Sequence, residues 1–412
     1  MRFQDPTPLL PFREAEIRRE FAIQIEAAIR AHPMYPDFRL NAGHVATILH
    51  VPISALEQGG YLSLQDSVGE PNSVDALVAR LTGTLDLVHH YLKPSPEDNK
   101  AADNGRTELS LTPRTPHTPR KRQKQSPASH TPSKRSYQPS NLSSPRPRKG
   151  TRKGSKKSDD PDADYQPKSK GRNQAQAKNC RTRDKSACVL MGTSDPQVCH
   201  IVPFSWNNNY ENLRKTSAVF IHAEAFLGKG WLRQFDPLIR NVQNLASSDK
   251  TWNMICLNIQ MQTWWGEARF GLKCLDIRPT AEGESVVTFQ FNWMPCSAMK
   301  PTDKMNLQGK DSDFDRMVNS AESFWKGGSI PTSAEFGKTA ALFVNVKSGV
   351  PLISGHLIEI EMPSSDAPLF KAMIDFQWAM IVVAALCGAA VDDENSFDRY
   401  FRTMEWVLQS PP

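Results

Sequence analysis

No CxxC pair occurs among the seven cysteines of this sequence, and their spacing is irregular. The sequence therefore does not indicate a structural zinc site built from paired cysteines. The N-terminal stretch MRFQDPTPLLPFREAE also lacks the apolar run that a signal peptide requires, since acidic residues and prolines interrupt it. We expect an intracellular protein in a reducing compartment.

The sequence also has no uninterrupted hydrophobic run of the length that a membrane span requires. The best candidate, Phe376–Val391, has 16 residues and is flanked by Asp375 and Asp392. A helix needs roughly 20 apolar residues to span a bilayer. The sequence therefore predicts a buried core helix here and no membrane partner.

The chain divides into three regions of different composition. Residues 1–95 contain two stretches with apolar residues at helical spacing, 10–31 and 74–92, and predict a small helical N-terminal unit. Residues 96–176 are rich in Ser, Pro, Lys and Arg and have almost no large aliphatic side chains, so we predict a disordered linker. Residues 177–412 regain tryptophan, phenylalanine and alternating apolar runs, and predict an α+β domain.

Acidic residues are missing from one part of the linker, which contains two basic clusters. Residues 113–157 hold 14 Lys and Arg and no Asp or Glu, so the rest of the chain carries a net negative charge. This pattern favours nuclear import or non-specific nucleic-acid contact over a merely solubilising spacer. The cationic residues are Arg120, Lys121, Arg122, Lys124, Arg146, Arg148, Lys149, Arg152, Lys153, Lys156 and Lys157.

The stretch from Cys180 to Lys273 carries the most informative pattern. Ala187–Met191 and Val198–Val202 are apolar and strand-like, and His200 lies in the second of them. About 50 residues later Asn253 precedes the apolar run Met254–Leu257, and residues 260–264 could then form a short helix. The expected order is strand, strand, helix.

These residues resemble the HNH nuclease (ββα-metal) family, in particular fungal proteins with a basic linker and a C-terminal HNH domain. The motif here is Cys199-His200-Ile201-Val202-Pro203, followed by Asn253 and, nine positions on, by Gln262. The resemblance implies an HNH core embedded in the C-terminal α+β domain. It also implies that nucleic acid is the partner, and we favour DNA over RNA.

The resemblance assigns chemical roles. His200 would be the general base that takes a proton from water, and Asn253 would hold the other ring nitrogen. A divalent cation, Mg²⁺ or Mn²⁺, would bind the scissile phosphate. The family's metal-ligand positions are occupied here by Cys199 and Gln262, and a neutral thiol is a poor ligand for a hard cation.

Three functions stay open at this stage. The first is an HNH endonuclease in which another residue supplies the ligand, with Asp195, Asp249 and Glu267 close in sequence. The second is a catalytically impaired HNH fold that binds nucleic acid or acts as a scaffold. The third is an interaction protein whose basic tract alone binds acidic partners. The basic clusters further predict a nuclear import receptor as a partner, and a nuclear rather than a cytoplasmic location.

Overall fold

A computed structural model of the protein describes residues 2–92, 170–280, 282–327 and 345–389. All of these residues belong to one compact unit that mixes helices and strands. The predicted α+β class is therefore confirmed. The two basic clusters and most of the predicted linker lie outside the described residues.

The described segments contain helices and strands in the following order. The helices are α1 Ala15–Arg30, α2 Ala42–His50, α3 Val74–Leu92, α4 Gln174–Arg183, α5 Tyr210–Phe220, α6 Glu224–Ile239, α7 Ile259–Gly266, α8 Asp313–Lys326 and α9 Ala367–Cys387. The strands are β1 Arg2–Phe3, β2 Gln197–His200, β3 Met254–Leu257, β4 Phe270–Pro279, β5 Glu284–Trp293 and β6 His356–Pro363.

The strands form two antiparallel sheets. The larger sheet has the order β1-β6-β5-β4, and the smaller one pairs β2 with β3. Residues 285–293 alternate in the period-two pattern of a strand, and they lie in β5. Because β2 ends opposite the start of β3, His200 pairs with Met254, and His200 and Asn253 lie on adjacent chain segments.

The first predicted strand of the strand–strand–helix pattern is wrong. Ala187–Met191 forms a turn, in which the Gly192 N–H bonds to the Cys188 carbonyl at 2.7 Å and the Cys188 N–H bonds to the Thr193 carbonyl at 2.9 Å. Gly192 has a φ of +71°, which glycine tolerates without strain. The two-stranded unit is therefore built from β2 and β3, and α7 follows it as the predicted helix.

Helix α9 lies at the centre of the core. It packs on β4 and on α2, α3 and α6, and its residues are buried around most of its circumference. Among the described helices, α9 is long and apolar enough to cross a membrane by length and composition, and 83% of its apolar window is buried inside the protein. This burial matches the prediction of a core helix.

An aromatic cluster joins the N-terminal helices to the rest of the core. The Phe376 ring of α9 lies 5.8 Å from the rings of Tyr91, Trp206 and Trp231 and 5.9 Å from that of Phe220. Full burial of one such aromatic side chain contributes about 1.5–3 kcal/mol. Helix α3, which carries Tyr91, therefore belongs to the same hydrophobic core as the segment that carries His200.

Candidate functional site around His200

His200 ends strand β2, and the chain beyond it is fixed by hydrogen bonds to Asn253. The Ile201 N–H donates to the Asn253 carbonyl at 2.9 Å, and the Val202 N–H donates to the Asn253 side-chain oxygen at 2.9 Å. The Asn253 amide nitrogen donates in turn to the carbonyls of Val202 and Ser248. Asn253 is completely buried, so these bonds hold the backbone after His200 in one position.

The structure thus brings His200 and Asn253 together but gives Asn253 another role than the expected one. The contact that was predicted between its amide oxygen and the imidazole is replaced by the bond to the Val202 N–H. Asn253 positions the strand end, and a different side chain holds the ring.

That side chain is Asp249, in the loop before β3. Its Oδ1 lies 2.9 Å from His200 Nε2, and its Oδ2 accepts the Asn173 N–H at 2.5 Å. The side chains of His200 and Asp249 are only 4% and 3% exposed. A buried carboxylate on one ring nitrogen fixes the tautomer and the angle of an imidazole.

Burial raises the pKa of Asp249, but the hydrogen bond and charge of His200, the Asn173 N–H and the charge of Arg172 outweigh it. The pKa of Asp249 consequently lies below its ordinary value. Asp249 is therefore ionised at neutral pH and can stabilise a protonated imidazole next to it.

Arg172 occupies the other side of the ring. Its Nη2 lies 2.6 Å from His200 Nδ1 and donates to the Val198 carbonyl at 3.3 Å. A guanidinium can only donate hydrogen bonds, so Nδ1 must present its lone pair to Arg172. The proton of a neutral imidazole then sits on Nε2 and points at Asp249.

Arg172 and Asn173, the two residues before helix α4, lie in this site. Asn173 is the N-cap, and its side chain accepts the N–H groups of Ala175 and Gln176. The Gln176 side-chain oxygen accepts from the Thr251 N–H at 2.9 Å, which ties the helix to the loop that carries Asp249. The N-terminus of α4 thereby lies against the imidazole and the carboxylate.

The two predicted metal-ligand positions differ in their fitness for a hard cation. Cys199 is buried, its Sγ donates to the Gln197 carbonyl at 3.6 Å, and burial raises the pKa of the thiol. A neutral thiol does not suit Mg²⁺ or Mn²⁺. Gln262, in α7, has a buried Oε1 without a hydrogen-bond partner, which is a free oxygen donor. Only Gln262 is a suitable ligand for a hard cation, so Cys199 and Gln262 together do not form a complete hard-cation site.

A different group of potential metal ligands lies nearby. Among the described residues, Cys180, Asp184 and Cys256 form a buried group whose ligand atoms all lie within 4.8 Å of one another. Hydrogen bonding to Cys256 and burial raise the pKa of the Cys180 thiol. Two sulfur donors are unsuited to Mg²⁺, so this group does not replace the expected hard-cation site.

Sequence reasoning missed the roles of Asp249 and Arg172 for different reasons. Asp249 was a named candidate, but nothing local shows that it meets His200, which is 49 residues away in sequence. Arg172 lay in the predicted linker. The signal that could have found it is Asn173 followed by QAQAK, an N-cap residue before good helix formers. The predicted basic contact residues between 120 and 157 lie outside the described residues.

Residues 188–273 match the family model described as HNH endonuclease. The matched region contains β2, β3 and α7, with His200, Asp249 and Asn253. The family resemblance is thus confirmed for this region, which supports a nuclease-like function on nucleic acid, and HNH domains generally use a divalent metal. No curated protein and no solved structure matches the chain. Arg172 and Cys180 lie outside the matched residues.

Proposed function

We propose that the protein is an HNH-type endonuclease that hydrolyses phosphodiester bonds in nucleic acid, with His200 as the general base. The observation that carries this proposal is the hydrogen bond of 2.9 Å between His200 Nε2 and the buried Asp249 carboxylate. An imidazole held in this way presents Nδ1 as the basic nitrogen. A neutral imidazole can accept a proton from water through its unprotonated ring nitrogen.

Arg172 would bind the phosphate and at the same time uncover the base. Its guanidinium now lies on His200 Nδ1, and phosphate oxygens are stronger partners for a guanidinium than a neutral ring nitrogen. When the phosphate takes Arg172, Nδ1 becomes available to water. The water proton moves to Nδ1, the oxygen attacks phosphorus, the bond to the leaving oxygen breaks, and Asp249 stabilises the imidazolium.

The charge around the site favours a polyanion. Residues 170–183 hold five Lys and Arg and no Asp or Glu. Of these, Lys170, Lys178 and Arg181 are exposed. The N-terminus of α4 adds a positive dipole end beside His200. Electrostatic contact of this kind is independent of sequence and falls steeply with salt.

A divalent ion, Mg²⁺ or Mn²⁺, belongs to the proposal as the group that neutralises the phosphate and the leaving oxygen. Gln262 Oε1 is the predicted ligand position that fits it. The Cys199 thiol is not a suitable ligand for this ion, and no step of the proposed reaction depends on Cys199.

A nicking assay tests the proposal. Supercoiled plasmid is incubated with the full chain and Mg²⁺ or Mn²⁺, at low and high salt, beside His200→Ala and Asp249→Asn. Loss of the general base lowers the rate by about 10²–10⁴-fold. His32→Ala is the matched control, because His32 is a partly exposed histidine in the turn after α1. Nicking that survives in His200→Ala would refute the assignment.

Binding without cleavage is the second candidate function. It is favoured by the neutral, buried Cys199 thiol at a position where the family supplies a metal ligand. Under this alternative the chain retards DNA in a gel but does not nick it in either metal. If neutralising the basic clusters Arg120–Lys124 and Arg146–Lys157 in the full chain abolishes all binding, the basic tract alone contacts the nucleic acid.

We further propose DNA rather than RNA as the substrate, and a nuclear location reached through an import receptor that binds the basic clusters. The same assay with single-stranded RNA decides the first point. Microscopy of a fluorescent fusion decides the second, because neutralising Arg120–Lys124 and Arg146–Lys157 should move it to the cytoplasm.

A further inference from the structure

Three buried side chains converge where helix α4 meets strand β3. Cys180 lies in the last turns of α4, Asp184 follows the helix, and Cys256 lies in β3. All three side chains are buried, and the Asp184 side chain has no exposed area. The proposed hydrolytic reaction uses none of them.

Two of the distances between the donor atoms match those of a tetrahedral metal site, and all three donor atoms lie within 4.8 Å of one another. The two sulfurs of Cys180 and Cys256 are 3.8 Å apart, and Cys180 Sγ lies 3.6 Å from Asp184 Oδ2. Around a tetrahedral Zn²⁺, with bonds of about 2.3 Å to sulfur and about 2.0 Å to oxygen, two sulfurs are about 3.8 Å apart, and a sulfur and an oxygen about 3.5 Å. We propose that Cys180, Asp184 and Cys256 bind a borderline-soft divalent ion of the zinc class.

Ligand chemistry distinguishes this site from the one at His200. Thiolates select zinc over Mg²⁺ and Mn²⁺. On binding, each thiol loses its proton to solvent, two metal–sulfur bonds form, and the carboxylate supplies the third bond. Water or another small donor completes the tetrahedron, since the group among the described residues has three members.

Arg183 makes the metal-bound site electrically neutral. Its Nε donates to Asp184 Oδ1 at 2.7 Å, and its Nη2 lies 3.1 Å from Asp184 Oδ2 and 3.6 Å from Cys180 Sγ. One dication, one guanidinium, two thiolates and one carboxylate sum to zero charge. A buried charge needs such compensation to be stable.

The same arginine orients the carboxylate. With Oδ1 held by Arg183 Nε, Oδ2 lies 3.6 Å from Cys180 Sγ and accepts the Cys256 N–H at 2.8 Å. The carbonyls of Thr251 and Met254 anchor the guanidinium at 2.9 and 2.7 Å. Outer contacts of this kind orient metal ligands.

The metal would have a structural role. It would join α4 to β3, and α4 begins at the residues that contact His200 and Asp249. This inference does not depend on the proposed hydrolysis, because a protein that only binds nucleic acid would need the same connection between helix and strand.

Cobalt substitution tests the site on the full chain. We expect the purified protein to contain about one equivalent of zinc, because thiolate ligands select zinc over Mg²⁺ and Mn²⁺. Co²⁺ added to the metal-free protein should give sulfur-to-cobalt charge-transfer bands and intense tetrahedral absorption. Cys180→Ser and Cys256→Ser should each weaken Co²⁺ binding at least about tenfold. Cys274→Ser removes a buried cysteine of β4 and should leave the spectrum unchanged.

Thiol counting covers the case in which the serine variants do not fold. In the wild-type protein under mild denaturant, bound Co²⁺ or Zn²⁺ should protect two cysteines from a thiol reagent, and a chelator should release both. Absence of the charge-transfer bands, or bands that persist in Cys180→Ser, would overturn the proposal. A Cys180–Cys256 disulfide found by mass spectrometry in the freshly purified, metal-free protein would overturn it as well.

Discussion

The hydroxyl of Tyr91 donates a hydrogen bond of 2.9 Å to the carbonyl oxygen of Ile201, the residue that follows His200. Tyr91 belongs to α3, 110 residues earlier in the chain, and burial raises the pKa of its hydroxyl, which keeps it protonated as a donor. A helix from the N-terminal region therefore supports the strand end that carries the proposed base.

Tyr91→Phe removes this donor and leaves a buried carbonyl oxygen without it. We expect the free energy of unfolding to fall by about 1–3 kcal/mol, the usual cost of an unsatisfied buried polar group. Nicking should slow as well, because the backbone after His200 loses a restraint. Chemical denaturation and the nicking assay measure the two effects. Tyr210→Phe, at a position 37% exposed, is the control, and equal losses in both variants would contradict the prediction.

Asp249→Asn keeps the shape of the site but removes its charge. We expect nicking to fall by about 10²-fold or more, because the amide no longer fixes the tautomer or stabilises the imidazolium. The pKa of Asp249 is lowered in the folded protein, so its contribution to stability is present at neutral pH. That contribution is lost as the pH falls from the unfolded value, about 3.9, through the folded one.

The asparagine variant should therefore be less stable than the wild type at neutral pH and should lose this part of the acid sensitivity. Thermal melts between pH 7 and pH 2 measure it. Parallel pH dependences of stability in the two proteins over this range would show that folding does not lower the pKa of Asp249.

Asp86, on α3, should change the pH dependence of stability in the opposite direction from Asp249. Burial raises its pKa to about 7. The folded protein then holds this proton more tightly than the unfolded chain does, so stability decreases as the pH rises from about 4 to 7. Asp86→Asn removes the free-energy cost of burying the ionised carboxylate. The free energy of unfolding at pH 8 should therefore rise by on the order of a few kcal/mol, at about 1.4 kcal/mol per pKa unit. Denaturation at pH 5 and pH 8 tests it, with the exposed Glu57→Gln as control.

Gln262→His places an imidazole at the position where the family has its last histidine. Gln262 Oε1 is buried and has no hydrogen-bond partner, so this side chain makes no bond that the substitution would break at that oxygen. We expect nicking to require less Mn²⁺ than in the wild type, since imidazole is a stronger ligand than a neutral amide oxygen. Gln260→His, two residues earlier and exposed, should change nothing. An unchanged Mn²⁺ dependence in Gln262→His would show that position 262 does not face the cation.

Much of the fold was predictable because it depends on local periodicity. Apolar residues at helical spacing predicted α1 and α3, alternation predicted β5, and the apolar run near the end predicted the buried α9. The strand predicted at Ala187–Met191 was wrong because these apolar side chains pack into the core from a turn. Their composition alone resembles that of a strand. The boundary of the C-terminal region was placed at residue 177, although α4 begins at Gln174 and Arg172 already contacts His200.

The amino-acid sequence by itself determined α1, α3 and β5, because their apolar side chains repeat at regular spacing. The resemblance of the His200 and Asn253 motifs to the family implied that these two residues approach each other. Only the tertiary structure decided that Asp249 and Arg172 hold the imidazole and that Cys180 meets Cys256. These partners are 28 to 76 residues apart. What joins them is the packing of α4 against β2 and β3, a non-local contact that spacing in the sequence does not encode.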